Sequence, residues 1–346
     1  MDDTNRQWLL DARPQGAFRP QDLRYAEAPA PRGPLKPGEI LVRNVLCLCA
    51  PTIRNWMGPQ GRFQPSIALG APVMGPTLAR VLDSASPEYP VGRYVHTMSG
   101  WQDYALIDTA RVKGQLILYP PGVSPVDCMG VFGVNALTAY FGLLRVGASR
   151  AGENVLVSAA AGSTGSMVCQ YARIQGCRVV GLARGQENKP WLLDTLGVDA
   201  VLDPEQDDLA ERLRDVFPKG IDLFFDNVGG RALPVAMGHL ARRGCVIVCG
   251  QVGDYDVAQK AGAALDLTRL VYAQNRVEGF VVTEYFDEAP AAIEVLREWK
   301  VAGKLVHRED IRNGFDELPS TFADVFRGGS RGTRLVRIAG EALRPI

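Results

Sequence analysis

Residues 153–184 read ENVLVSAAAGSTGSMVCQYARIQGCRVVGLAR. Residues 155–158 have the length and apolar character of a short buried strand. A loop of small residues follows, Ala159-Ala160-Ala161-Gly162-Ser163-Thr164-Gly165. The pattern predicts an amphipathic helix over 166–175, ended by Gly176, and a second strand over 177–182. This is one βαβ unit, and its loop has the form A-x-x-G-x-x-G. A dinucleotide pyrophosphate needs close approach of the backbone and the free N–H groups of a helix start. Gly162 and Gly165, with Ser163 and Thr164 between them, can supply both. A turn that merely packs helix on strand is the competing reading. The position between strand and helix favours the cofactor.

The end of the second strand refines this. NAD sites place a carboxylate there to accept the ribose hydroxyls. Here the strand ends in Arg184, with Lys189 close behind. A guanidinium grips a phosphate bidentately, which suits the 2′-phosphate of NADP. A solvated loop charge is the plainer alternative for Arg184, and Glu187 lies nearby. The missing acid and the present base both point to NADP.

The 346 residues leave room for two domains. The 38 basic and 38 acidic residues cancel, which argues against nucleic-acid and membrane-surface partners. No run of about 18 apolar residues occurs, so no transmembrane helix is expected. The start MDDTNRQWLL is acidic and lacks the basic region of a signal peptide. Seven cysteines, an odd number partly inside expected strands, read as buried thiols of a cytoplasmic protein.

Upstream of the βαβ unit, 6–10 reads as a strand, 12–24 as loop and 25–37 as a rigid proline-rich connection. Residues 39–48 form a clear β segment, 55–65 are irregular, and 73–81, 93–97 and 101–108 are further short strands. Short strands with frequent Gly and Pro predict a β-barrel-like first domain. Residues 128–147 read as an apolar helix pair. From 153 strands and helices alternate, with strands at 153–158, 177–183, 199–202, 221–226, 244–250 and 277–282. That alternation predicts a doubly wound parallel sheet. After a helix at 289–302, the tail reads as short β pieces, notably 332–338, that rejoin the first domain.

Three more loops follow strand ends of that sheet. They are Asp226-Asn227-Val228-Gly229-Gly230, Cys249-Gly250-Gln251-Val252-Gly253-Asp254-Tyr255, and Gly279-Phe280-Val281-Val282-Thr283. Ligands of open α/β sheets bind beyond the carboxyl ends of the strands, so a shared nicotinamide site outweighs three unrelated turns. The only histidines are His96, His239 and His307, none in a His-Glu or Cys-x-x-Cys pattern. No zinc is expected, and Cys47 and Cys49 read as buried thiols. A developing oxyanion must then be held by hydrogen bonds.

The combination of LTAYFGL (137–143), AAAGSTG (159–165), FDNVGG (225–230) and EGFVV (278–282) resembles the zinc-independent medium-chain dehydrogenase/reductases, in the prostaglandin reductase and alkenal double-bond reductase branch. The resemblance spans nearly the whole chain. It implies an α/β protein: a Rossmann doubly wound parallel sheet plus a GroES-like β-barrel domain. The domains are expected at 1–125 (GroES-like), 126–302 (Rossmann) and 303–346 (the return to the GroES-like domain). It also implies a homodimer, NADP as cofactor and a small-molecule carbonyl substrate. The implied reaction reduces an enal or enone: hydride goes to the β-carbon, and a tyrosine hydroxyl and a cofactor ribose hydroxyl hold the enolate.

By position that tyrosine is Tyr255. Asn227, Gly250, Phe280, Val282 and Ser330 join Gly162, Ser163, Thr164, Gly165, Arg184 and Lys189 around the cofactor. Thr52, Asn135 and Tyr255 are placed at the substrate. The chain departs from the family pattern at several points. Asp-Pro-Tyr-Met-Arg becomes Ala50-Pro51-Thr52-Ile53-Arg54, and a phosphate-binding lysine falls at Asn188. An Asp-Tyr pair becomes Asp203-Pro204, and Asn-Phe-Gly-Lys becomes Ser330-Arg331-Gly332-Thr333. Thr52 in place of a tyrosine points to a larger or differently polar substrate. A quinone or ketone/alcohol oxidoreductase on the same scaffold, and a non-catalytic NADPH-binding protein, stay open as alternatives.

Overall fold

The computed structural model describes residues 3–59, 65–112, 114–205, 208–256, 265–327 and 332–340. β1 (Thr4–Leu10) and β2 (Leu23–Pro29) form an antiparallel ribbon. The local composition predicts loop over 12–24 and a rigid connection over 25–37, and β2 corrects both. Tyr25 and Ala26 pair with Trp8 and Gln7, and the prolines begin to count only at the strand's end. Pairing with a neighbouring strand outweighed the local composition.

The barrel sheet is built from β3 (Glu39–Leu48), β4 (Thr77–Ser84), β5 (Tyr94–Thr97), β6 (Tyr104–Asp108) and β7 (Ile117–Leu118). A short helix, Ile53–Trp56, lies in the stretch expected to become irregular near 55. It buries Ile53, Arg54 and Trp56.

The parallel sheet comprises β8 (Asn154–Val157), β9 (Arg178–Leu182), β10 (Ala200–Leu202), β11 (Ile221–Asp226), β12 (Leu240–Val248) and β13 (Arg276–Gly279). Its order among the described residues is β10-β9-β8-β11-β12-β13, with every pairing parallel. Val155, Leu156, Val157, Phe224 and Phe225 are fully buried, as expected of strands covered on both faces. The strand order reverses between β8 and β11, and ligands bind at such a switch point.

β14 (Glu309–Asn313) and β15 (Thr333–Arg337) return to the barrel sheet. Its order among the described residues is β14-β15-β3-β4-β5-β7, and β6 also pairs β3, along Glu39–Arg43, whereas β15 pairs Leu46–Leu48. The tail is not only β: a helix, Leu318–Phe326, joins β14 to β15. Phe322 is fully buried against Phe18 and Trp101, at ring distances of 4.9 and 5.5 Å, and this core contact holds the helix. No helix among the described residues is long and apolar enough to cross a membrane.

Candidate active site at the switch point

The glycine loop leaves β8 through Ser158 and enters the helix Ser163–Ile174. That helix starts one turn earlier than the sequence pattern predicts, because Gly162 takes the N-cap position in extended conformation. Ser163, Thr164 and Gly165 are therefore its first residues, and their N–H groups lie in the turn that has no intrahelical acceptors. Ala159 turns the chain in the left-handed region, at φ 48°. A Cβ on Gly165 would overlap the Ala159 carbonyl, 2.9 Å from its carbon and 3.0 Å from the Ala160 Cα. Glycine here lets the helix start sit directly on the loop, and a pyrophosphate needs that cradle.

At the end of β9, Arg184 reaches Glu205 at 3.3 Å, and both side chains are more than half exposed. Asp203, where the family pattern has the acid of its Asp-Tyr pair, accepts Gly185 N–H and Glu205 N–H at 3.0 Å each. Asn188 donates to the Arg184 carbonyl at 3.2 Å, and Lys189 follows at the end of that turn. The basic pair thus sits on a loop shaped by Asp203 and Asn188.

Sequence reading missed the post that supports the neighbouring loop. Asp226 is fully buried at the end of β11. It accepts Ser158 Oγ–H at 2.7 Å, Val228 N–H at 3.1 Å and Gly229 N–H at 3.1 Å. Burial raises its pKa, and these three hydrogen bonds work against that rise. Asn227 donates to Ser158 O at 2.7 Å and takes Ser158 Oγ through its own N–H at 2.8 Å. Ser158, Asp226 and Asn227 lock the two central strand ends together. The FDN triplet was visible in sequence; its partner, 68 residues away, was not.

Tyr255 closes the next loop. Its hydroxyl accepts Gln251 N–H at 3.2 Å, and a Cβ on Gly250 would stand 3.0 Å from that oxygen. Gly250 therefore makes space for the phenol. The following residue, Asp256, ion-pairs with Arg54 of the barrel at 3.2 Å and accepts Phe18 N–H at 2.6 Å. Arg54 also donates to the carbonyls of Pro14 and Gly16 at 3.3 and 2.7 Å. The Tyr255 loop is thereby tied to the barrel.

Phe280 is half-buried and packs edge-on to Phe225 at 6.4 Å, over Gly142, where a Cβ would meet its ring at 2.6 Å. Val282 begins the turn Val282–Glu288. Thr52 stands at the N-cap position of the short helix that carries Arg54, makes no side-chain capping bond and is exposed. Asn135 does not stand apart from the glycine loop: it donates to Ser163 Oγ at 2.8 Å. Ser330 lies outside the described residues. Gly332, just beyond, donates to the Ala161 carbonyl at 3.2 Å, so the returning tail also touches the loop. Among the described residues no group of three or more His, Cys, Asp or Glu side chains could hold a metal ion.

Comparison with known proteins agrees with this architecture. Residues 6–114 match the family model of the N-terminal domain of oxidoreductase, and 163–298 match that of zinc-binding dehydrogenase. The chain belongs to the medium-chain dehydrogenase/reductases, in the zinc-independent, NADP-dependent branch of prostaglandin and alkenal reductases. It is 33% identical to the NADPH-dependent curcumin reductase of Escherichia coli, over 97% of this chain and 98% of that protein. It is 32% identical to the 2-alkenal reductase (NADP(+)-dependent) of Nicotiana tabacum, over 88% of each. CurA from Vibrio vulnificus, solved in complex with NADPH, superposes with a TM-score of 0.84 at 30% identity, over 97% of this chain and 100% of that one.

Proposed function

We propose that this protein is an NADPH-dependent reductase of activated carbon–carbon double bonds in enals and enones. The observation that carries the reading is the Tyr255 hydroxyl, held beside Gly250 at the carboxyl edge of the parallel sheet and tied through Asp256 to the barrel. The names of the curcumin and 2-alkenal reductases support it.

The residues present fit the cofactor. Ser163, Thr164 and Gly165 offer N–H groups to the pyrophosphate, Gly162 gives its own N–H to the Ala159 carbonyl at 2.9 Å and forms the turn, and Gly165 keeps the cradle open. Arg184 and Lys189 would meet the 2′-phosphate, Arg184 exchanging Glu205 for it. Asn227, Gly250, Phe280 and Val282 belong to the nicotinamide end. When bound there, the nicotinamide would supply the hydride for the β-carbon of the substrate. As the π electrons move onto the carbonyl oxygen, Tyr255 donates its O–H to the developing enolate. Accepting Gln251 N–H polarises that phenol and strengthens it as a donor. A fixed donor needs no reorganisation in the transition state. A proton from solvent then adds to the α-carbon, so that one hydride and one proton complete the saturated carbonyl product. Thr52 and Asn135 complete the substrate side of this reading, with Thr52 leaving the space a tyrosine would fill.

Domain boundaries near 125/126 and 302/303 follow the passage from barrel strands to helices and back. A homodimer through the open edge of β13 is supported by the exposed Val277 and the neighbouring exposed Val271 and Tyr272. A cytoplasmic location accords with seven free cysteines.

The test is NADPH oxidation across enals, enones, quinones and ketones, with products identified. A saturated carbonyl from an enone is expected. Tyr255→Phe should lower kcat/KM about 10²–10³-fold, or roughly 2.7–4 kcal/mol, with NADPH affinity unchanged. Turnover of quinones or ketones alone would overturn the substrate class. An unimpaired Tyr255→Phe would overturn the oxyanion assignment.

A further inference from the structure

Ser163, the first residue of the glycine-loop helix, is the end of a hydrogen-bond chain that runs into the returning tail. Asn135 Nδ2 donates to Ser163 Oγ at 2.8 Å. Ser163 Oγ meets Thr333 Oγ1, and Thr333 Oγ1 meets His307 Nε2 at 3.1 Å. His307 Nδ1 meets Glu309 Oε1. The chain is built rather than incidental. Thr333 is fully buried, the His307 side chain is 8% exposed, and Glu309 is 19% exposed. Gly130 seats the pair, because a Cβ there would stand 2.7 Å from His307 Nδ1 and 2.8 Å from Glu309 Oε1. Gln170, on the same helix as Ser163, clamps the preceding residue: it donates to Val306 O at 3.0 Å and accepts Val306 N–H at 2.8 Å.

The direction of this chain depends on one proton. An ionised Glu309 only accepts, so His307 Nδ1 carries a hydrogen, as the hydrogen-bond pattern assigns it. With a neutral ring, Nε2 accepts from Thr333, Thr333 accepts from Ser163, and the Ser163 hydrogen is committed inward. With a protonated ring, Nε2–H donates to Thr333 and Thr333 donates to Ser163. Ser163 then accepts from both Asn135 and Thr333, and its own O–H is released to a ligand at the helix start. The charge that arrives is a cation, on the side where the cofactor's phosphates would lie. Other charges near this ring have partners of their own. Arg308 turns its guanidinium over the Trp191 ring at 5.6 Å, and Asp127, on the helix that precedes Gly130, pairs with Lys300.

We propose that Glu309, His307 and Thr333 form a positioning relay that couples cofactor binding to uptake of a proton by turning the Ser163 hydroxyl outward. The proposal rests on the cofactor reading above. Ser163 touches the ligand, and His307 acts through it.

The experiment is calorimetric titration of the whole protein with NADP⁺, at several pH values between about 6.5 and 8, in buffers of different ionisation enthalpy. The buffer dependence gives the number of protons taken up. The 2′-phosphate itself titrates, with a second pKa of about 6, so the reading is the difference between wild type and His307→Gln. Wild type should take up more protons than His307→Gln. Its Kd should also rise more steeply with pH, by up to about tenfold per unit for one linked proton. Thr333→Val, which keeps His307 and Glu309 but cuts the chain, should fall to the His307→Gln level. It carries the comparison should His307→Gln fail to fold. Equal proton uptake in wild type and Thr333→Val would overturn the relay while leaving the cofactor reading intact. No binding of NADP⁺ by wild type would overturn both.

Discussion

Arg54→Met tests whether the barrel holds the Tyr255 loop in place. The Arg54 and Asp256 side chains are 9% and 15% exposed and 3.2 Å apart. Removing one partner of a buried pair costs about 3–5 kcal/mol, because the other charge is stranded. Asp256 keeps the Phe18 N–H at 2.6 Å and a little solvent, which reduces that cost. Methionine fills much of the arginine's volume, but leaves the carbonyls of Pro14 and Gly16 without their donor. We expect a loss of about 2–3 kcal/mol, which for 346 residues, at about 1.4 °C per kcal/mol, lowers the thermal midpoint by roughly 3–4 °C.

The catalytic consequence is more specific. A loosened loop misplaces the Tyr255 hydroxyl, so kcat/KM on an enone should fall roughly 10–100-fold, below the 10²–10³-fold ceiling for losing one oxyanion donor. The assay is a double-mutant cycle with Tyr255→Phe. In the phenylalanine background there is no hydroxyl left to misplace, so Arg54→Met should then cost less than about threefold, nearly all of the effect being coupling. If Arg54→Met lowers kcat/KM by the same factor in both backgrounds, the ion pair stabilises the fold without positioning Tyr255, and the reasoning is refuted.

Gly165→Ala should weaken NADPH binding at least tenfold and destabilise the protein by about 1–3 kcal/mol, because the new methyl meets backbone at Ala159 and Ala160 that has no rotamer to yield. Calorimetry and thermal melts check it. Arg184→Gln should narrow the preference for NADPH over NADH by about tenfold in KM ratio, through loss of a charge-assisted phosphate contact of roughly 1.5 kcal/mol, the low end for a side chain this exposed. His96 is fully buried, with Nδ1 unpartnered, and burial lowers its pKa to about 4. The unfolded chain binds this proton near pH 6.5 and the native protein only near 4, so the stability is present above about 6.5 and is lost as pH falls toward 4. That amounts to about 3 kcal/mol, and His96→Leu should remove this component from the pH dependence of melting.

The Rossmann half of the fold was legible because its information is local. Strand, small-residue loop and helix adjoin in 153–184, and β11 ends where the apolar run 221–226 ends. The barrel was legible as a class but not in detail. β2 hid behind its prolines because its stability comes from pairing with β1, and the helix Leu318–Phe326 is fixed by Phe322 packing on Phe18 and Trp101. The chemistry was legible where a loop carries its own signature, as at Gly250 and Tyr255. The groups that hold those loops were not. Ser158 finds Asp226 across 68 residues, Ser163 finds Thr333 across 170, and Arg54 finds Asp256 across 202. No periodicity records such pairs, since each depends on how the completed fold brings distant segments together.

Thr333 gives the departures from the family pattern a physical meaning. Where the resemblance expects the lysine of Asn-Phe-Gly-Lys, this chain has a hydroxyl that carries no charge. A lysine there would place a permanent cation beside Ser163. Thr333 instead passes the position on to His307, whose charge depends on a proton. The tail is pinned twice, by Gln170 of the glycine-loop helix on Val306 and by Gly332 on Ala161 of the loop itself. A rigidly held ring can change its charge without moving, so the effect reaches the cofactor end as a change in hydrogen-bond direction. Restoring the fixed cation with Thr333→Lys should therefore flatten the pH dependence of NADP⁺ affinity, with tight binding retained at high pH. A Thr333→Lys variant whose affinity still falls with pH as in wild type would mean that the charge at this position does not act on the cofactor.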